Sequence, residues 1–364
     1  MQCASFRRGR MEKKRTLSYL TIIMLVLSML MVSSPVSLHF IQIAGAGHVD
    51  TQYDNDTYLN VTVVSAPAVI NSYDIQVAST GASRRNAMID VNTEYMFVVN
   101  VTCPTTWQEI EYINITAWYD AGSEASTYNG TAGGNLNMFL QYQNTTGTAV
   151  YNKLWPDNEV TKGDLVETVY NESCHVVKLE FTPLNQVRSA VGNGGWDNTT
   201  NATNDAKSWN FKIEVTTSGG NSTWVKDEYG VYRYCEVSSS ASVSASALPG
   251  HRASTSPGDF TITYKANTPY KLTVTTNATL NRVGGGDSIS RAYINVSGGD
   301  ITGYDSLSDG IAYILGSSGS YHAQETDDPQ ETINDVAYHC DIPYGTLSGT
   351  YSSKLYYTLS LDTT

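Results

Sequence analysis

Basic residues are scarce in this chain. Of 364 residues, 22 are Lys or Arg and 35 are Asp or Glu, a formal net charge of -13. Six of the basic residues (Arg7, Arg8, Arg10, Lys13, Lys14, Arg15) precede residue 47, with Glu12 among them. Beyond that point 16 basic and 34 acidic residues remain, about -18. No basic stripe is present and a phosphate polymer would be repelled, so nucleic acid is excluded as a partner. Long apolar runs are also lacking. Only Leu17 to Val32 approaches the length that spans a bilayer. After residue 50 no stretch keeps a helical period over several turns.

The motifs of common enzymes are missing as well. There is no G-x-S-x-G elbow; Gly316-Ser317-Ser318-Gly319 has the wrong spacing and no helix follows it. No H-E-x-x-H occurs, which argues against a zincin. Gly284-Gly285-Gly286-Asp287 lacks the lysine and helix of a phosphate loop and reads as a turn. Glu109 and Glu111 are the nearest approach to a carboxylate pair, but a shared strand face is equally the mark of ordinary solvent-facing acids. The expectation is no catalytic residue and no resident cofactor.

What is present begins with a basic start, an apolar run and the small residues Ala44, Gly45 and Ala46. That is the pattern of a secretory signal peptide over 1–46, with a retained signal anchor as the alternative. The expected location is extracellular or on the cell surface, with membrane contact only through an uncleaved signal. Export implies an oxidising compartment. Cys103, Cys174, Cys235 and Cys340 are therefore candidates for two disulfides in one of three pairings. The couples Cys174-His175 and His339-Cys340 suit a metal poorly, because neighbours in a strand face opposite ways.

Twelve N-x-S/T acceptors follow the signal: Asn55, Asn60, Asn100, Asn114, Asn129, Asn144, Asn171, Asn198, Asn201, Asn221, Asn277 and Asn295. In EYMFVVNVT, Tyr95, Phe97, Val99 and Val101 share one strand face and Asn100 takes the other. Asn114, Asn60 and Asn295 sit the same way in YINIT, YLNVTVV and YINVS. A glycan needs such outward placement. The loop DNTTNATND at 197–205 is read as a glycan loop rather than a metal loop, since its oxygens have no recognised ligand spacing. The acids Asp300, Asp305, Asp309, Glu325, Asp327, Asp328, Glu331 and Asp335 are denser, and calcium is the one cation weighed for them, against a solvated acidic surface.

The rest reads as short strands rich in Val, Ile, Thr and Tyr, separated by Gly, Asn, Asp and Ser. The fold class expected is all-β, with two β-sandwich domains, immunoglobulin-like or jelly-roll. Residues 47–57 are a flexible leader, 58–237 the larger domain and 259–364 the smaller. SSSASVSASALPGHRASTSPG, within 238–258, looks like a Ser/Ala-rich linker. Tyr58–Ser65 is expected as the first strand. All six tryptophans lie in the larger domain, and Trp118 is the candidate for exposure because it shares a face with Asn114.

In the closing segment, Ile342, Pro343, Gly345 and Thr346 precede Gly349, Tyr351 and an alternating strand. This resembles the last strands of immunoglobulin-like β-sandwich domains in prokaryotic, archaeal-type secreted surface proteins. SPGDFTITYKANTPYKLTVTT has a similar character. The resemblance covers about the last hundred residues and implies a fold, with no catalytic residues carried over. Together these readings point to a non-catalytic surface protein, an envelope component, filament subunit or adhesin. Its partners would be itself or other surface proteins. The alternative is a glycan- or calcium-binding module.

Overall fold

Alternation of apolar and polar residues along the chain becomes paired strands in the computed structural model, which describes residues 59–120, 127–130, 133–145, 147–191, 208–240, 242–276, 279–324 and 331–363. The signal segment, the leader, the 197–205 loop, Asn55, Asn198, Asn201, Asn277, Glu325, Asp327 and Asp328 lie outside the described residues. The chain divides into two units, 1–62 and 63–364, and among the described residues every strand belongs to the second. Among the described residues the only helical elements are three single 3-10 turns, and no helix is long and apolar enough to cross a membrane.

The strands of the first half are β1 (Val69–Val77), β2 (Met88–Ile89), β3 (Tyr95–Thr102), β4 (Ile110–Tyr119), β5 (Asn137–Thr145) and β6 (Thr148–Trp155). They continue with β7 (Val160–Asn171), β8 (Cys174–Pro183), β9 (Trp209–Thr217) and β10 (Ser222–Val231). The second half holds β11 (Cys235–Ser239), β12 (Arg252–Ser254), β13 (Ile262–Ala266), β14 (Tyr270–Thr276), β15 (Thr279–Arg282), β16 (Ser288–Ser290) and β17 (Ile294–Gly298). After them come β18 (Ile301–Ser306), β19 (Ile311–Leu315), β20 (Glu331–Ile333), β21 (Ala337–Asp341), β22 (Tyr351–Ser352) and β23 (Leu355–Leu361).

In the first half a four-stranded sheet, β1-β3-β8-β7, faces a six-stranded one, β2-β10-β9-β4-β5-β6. Their inner faces close over one core. Phe97 and Val99 from one sheet, and Ile113, Ile115, Phe211 and Ile213 from the other, are fully buried. Phe97 stacks on Phe181 at 4.9 Å and meets Phe211 across the sandwich at 5.3 Å. Such aromatic contacts add to simple area burial.

A second core lies in the other half, built from Ile262, Leu272, Val274, Val296, Ile314 and Val336. Four small sheets surround it: β11-β13-β20, β12-β21-β17-β18, β19-β14-β23 and β16-β15-β22. Tyrosines fill the place tryptophan takes in the first core. Tyr338 and Tyr357 share a hydroxyl hydrogen bond of 2.6 Å, and Tyr264 donates to Glu331 at 2.6 Å. The β17–β18 turn needs Gly298 and Gly299, at φ of 97° and 60°, because a Cβ on either would meet a backbone oxygen, of Asp335 or Ile314.

Residues 238–258, expected as a linker, are woven into this second sandwich. β11 pairs with β13 and β12 with β21, and Val237 and Val243 pack against the core. The two halves meet at Asn267, which is fully buried. Its backbone oxygen accepts from Ser189 N, its Oδ1 accepts from Tyr234 N, and its Nδ2 donates to Tyr232 O. Residues 59–65, expected as the first strand, form none.

Candidate functional site

The register of the six-stranded sheet assembles a row across its outer face. Trp224 of β10 faces Glu214 of β9, which faces Asn114 of β4, then Gln141 of β5 and Asn152 of β6. The amides bond to one another. Gln141 Nε2 donates to Asn114 Oδ1 at 3.0 Å, and Asn152 Nδ2 donates to Gln143 Oε1 at 3.2 Å. Lys212 bonds Glu214 at 2.9 Å and lies 5.5 Å from the Trp224 ring centroid. An aromatic face beside amides and a charge pair is chemistry that suits a sugar: the ring takes the apolar face and the amides take hydroxyls.

Trp118 was the tryptophan expected on this surface, and it is 6% exposed, whereas Trp224 is 58% exposed. Trp118 is on the outer face, but the Lys226 ammonium lies 5.6 Å from its ring. The sequence signal for Trp224 is its parity with half-buried Lys226; Glu228, on the same parity, is fully buried, and Asp227 puts a charge on the other.

A second surface is the outer face of β12-β21-β17-β18. Arg252 forms a two-pronged pair with Asp341, at 2.7 and 2.9 Å, and lies 5.0 Å from the ring of exposed Tyr304. His339 sits between two serines, Ser254 Oγ at 2.8 Å from Nδ1 and Ser297 Oγ at 3.1 Å from Nε2. Burial holds the His339 imidazolium less favourably than water does and lowers its pKa, with Arg252 adding to the effect. Asp341 is engaged by Arg252, so Ser, His and Asp here make no relay.

A third cluster closes one end of the first sandwich. Trp107 Nε1 donates to Tyr142 OH at 3.1 Å, Tyr142 OH donates to Glu167 Oε2 at 3.2 Å, and His175 Nδ1 meets Glu167 Oε1. The His175 ring stacks on Trp107 at 4.0 Å. Burial and the neighbouring Glu167 push the Tyr142 pKa up.

The edges of the first sandwich are unusual. β6 and β7 each end a sheet, on the same side, where Lys162 Nζ bonds Tyr151 O and Lys153 Nζ bonds Val160 O. Both carry exposed apolar residues: Val150 and Leu154 on β6, Val166, Val169 and Tyr170 on β7.

Residues expected to act together are spread apart. Asp300 accepts from His322 and Gly316 N, Asp335 from Gly299 N, and Glu331 from Tyr264 and Tyr270. Glu109 accepts from Ser65 and Thr105 in a turn preceding β4. Among the described residues no group of three His, Cys, Asp or Glu is placed to hold a metal. All four cysteines expected in disulfides, Cys103, Cys174, Cys235 and Cys340, are free thiols. Cys174 pairs with Thr102 across β3 and β8, so the next residue, Cys103, points to the opposite face and is buried in the core. Cys235 is exposed on β11, and Cys340 is half-buried on β21.

Of the glycan acceptors, Asn60, Asn129 and Asn171 are exposed, while Asn100, Asn114, Asn221 and Asn295 are half-buried. Asn100 and Asn114 take the outer strand faces as their alternation required. Asn144 departs from the expectation. It is buried, its Nδ2 donates to Trp107 O and its Oδ1 accepts from Gly147 N, so its amide nitrogen is turned away from any glycan.

No family model matches the sequence, and no curated protein matches it. Among solved structures, the chain overlaps the C-terminal domain of the antigen I/II-family protein AspA of Streptococcus pyogenes. The identity is 10% and the TM-score 0.22, over 80% of this chain and 95% of that one. It also overlaps the C-terminal domain of the AgI/II polypeptide BspA of Streptococcus agalactiae, at 6% identity and a TM-score of 0.18, over 80% and 96%. A chaperone-tip adhesin complex of CFA/I fimbriae biogenesis gives 7% and 0.22, over 82% and 92%. The archaeal side of the resemblance has no counterpart in these bacterial proteins, and TM-scores this low carry no argument.

Proposed function

We propose that this is an exported, non-catalytic surface protein with a structural or adhesive role, carrying N-linked glycans on the outer faces of its sheets. The observation that supports this reading is the exposed apolar surface on the two sheet-end strands, β6 and β7. Sheet edges are ordinarily blunted with charge or covered, because their unpaired backbone groups recruit other strands. Here Lys153 and Lys162 tie β6 and β7 to each other at one end, while Val150, Leu154, Val166, Val169 and Tyr170 still present apolar side chains to a partner. The strong negative charge keeps such a protein soluble until it meets one.

Light scattering behind a sizing column, on the protein secreted from a glycosylating host, tests the reading. Large uniform assemblies are the expected result. A monomer at every concentration would remove self-assembly as its role. Deglycosylation should lower the mass, and Asn60→Gln should lower it by one glycan while Asn144→Gln leaves it unchanged.

The row from Trp224 to Asn152 favours a second reading, a glycan-binding face. It requires that Trp224→Ala abolish binding on a glycan array without changing the melting temperature. Calcium binding by the acidic loops would appear as a melting temperature that rises with calcium and falls with chelator.

A further inference from the structure

The second sandwich has a hole in its wall. A cavity of about 790 Å³ lies over its core, floored by Phe260, Ile294, Tyr338 and Tyr357, with Cys340 at its side. The segment covering it, residues 242–247, has the sequence SVSASA and forms no strand. Serine and alanine side chains are too short to reach the floor, and only Val243 packs against the core. Beside this strap runs β23, which ends its sheet in the order β19-β14-β23. Its inward residues Leu355, Tyr357, Leu359 and Leu361 are only half-buried. These side chains pack against the core but are incompletely covered along this edge.

The same chain carries such a strand with nothing paired to it. Leu59, Val61 and Val63 alternate with Asn60 and Thr62, yet the segment joins no sheet. Leu59 is 88% exposed, Val61 74% and Val63 79%. Water is a poor place for three alternating apolar side chains, and any surface that buries them together is favoured.

We infer that residues Leu59–Val64 of one copy add to the free edge of β23 in a second copy, displacing the 242–247 strap and filling the cavity. This rests on the assembly reading above and places a contact at β23, separate from β6 and β7. The lengths agree: six residues of strand span about 20 Å, close to the seven residues of β23. The faces agree too. With Leu59, Val61 and Val63 turned into the cavity, Asn60, Thr62 and Val64 face outward, and Asn60 carries a glycan-acceptor motif. Backbone pairing supplies affinity and the alternate side chains supply specificity, as in other strand additions. Because donor and acceptor belong to different parts of the chain, the contact is head-to-tail and extends into a filament unless it closes into a ring.

The experiment uses the full secreted chain. Val61→Asp/Val63→Asp should cut the assembled fraction at least tenfold while leaving circular dichroism and melting temperature unchanged. Separately, a Val61→Cys variant is treated with a mild oxidant. Trapping of the introduced thiol against native Cys340 of a neighbour should give a disulfide-linked ladder on a non-reducing gel, and Cys340→Ala should abolish it. Assembly indifferent to the aspartates, or a ladder that survives Cys340→Ala, overturns this inference and leaves the assembly reading intact. A disulfide from the introduced thiol to Cys340 within the monomer band overturns the assignment to a second copy. A monomer at every concentration overturns the inference and the assembly reading together.

Discussion

The two sandwiches of this chain solve the same packing problem to different degrees. In the first, the inward residues of β3, β4 and β9 are almost all fully buried, and tryptophan and phenylalanine fill the gap between ten strands in two sheets. In the second, thirteen strands divide into four small sheets, and the inward face of β23 stays half-buried. Its aromatic residues are mostly tyrosines whose hydroxyls must find partners. Burial pushes the Tyr357 pKa up to about 12, and raises that of Tyr338 as well. The contrast teaches that alternation alone makes strands, while a closed core also needs enough strands on each sheet to cover it.

The largest expected effect falls on the finished core. Phe211→Ala should cost about 3–5 kcal/mol. A urea titration followed by tryptophan fluorescence checks it, since all six tryptophans lie between residues 107 and 224. Leu359→Ala in the second sandwich should cost less, about 1–2 kcal/mol, because half of that side chain is already in water. Labelling of Cys340 against urea reads that half separately. Equal losses at the two positions would erase the difference between the two cores.

Acid should separate the halves further. His339 has a lowered pKa in the folded protein, so the unfolded chain binds the proton more readily. Its contribution is intact above the unfolded value near 6.5 and is lost as pH falls from there through the folded value. The second sandwich should therefore lose stability below about pH 6.5, and His339→Asn should flatten that slope. The smallest effect is on thiol labelling of the native protein. Cys235 should react first, although burial and Glu236 raise its pKa, and Cys103 should react only on unfolding.

Much of the fold was legible as period-two alternation. Tyr95–Val101 and Ile113–Ala117 turned their apolar residues inward as their spacing required, and Asn100 and Asn114 turned outward. Pairing was not legible, because a strand's own pattern gives its face and says nothing of its neighbour. Leu59–Val64 alternates as well as β3 does and has no ladder. The 238–258 segment looked like a linker because serine and alanine carry no pattern, yet backbone hydrogen bonds need none, and they placed β11 and β12 in sheets. The separation of Cys103 from Cys174 followed from parity, but only once Thr102 was known to face Cys174. Among the exposed aromatic residues, Trp224 had one sequence signal, its parity with Lys226. The row it joins depends on the register of five strands.

Asn267 has a consequence for how the two halves share a load. One side chain and its own carbonyl receive or make hydrogen bonds to Ser189, Tyr232 and Tyr234, so three chain segments meet at a single buried amide. Tension drawn through the chain from one half to the other would load those bonds together instead of peeling them one by one. The junction would behave as a rivet between the two halves.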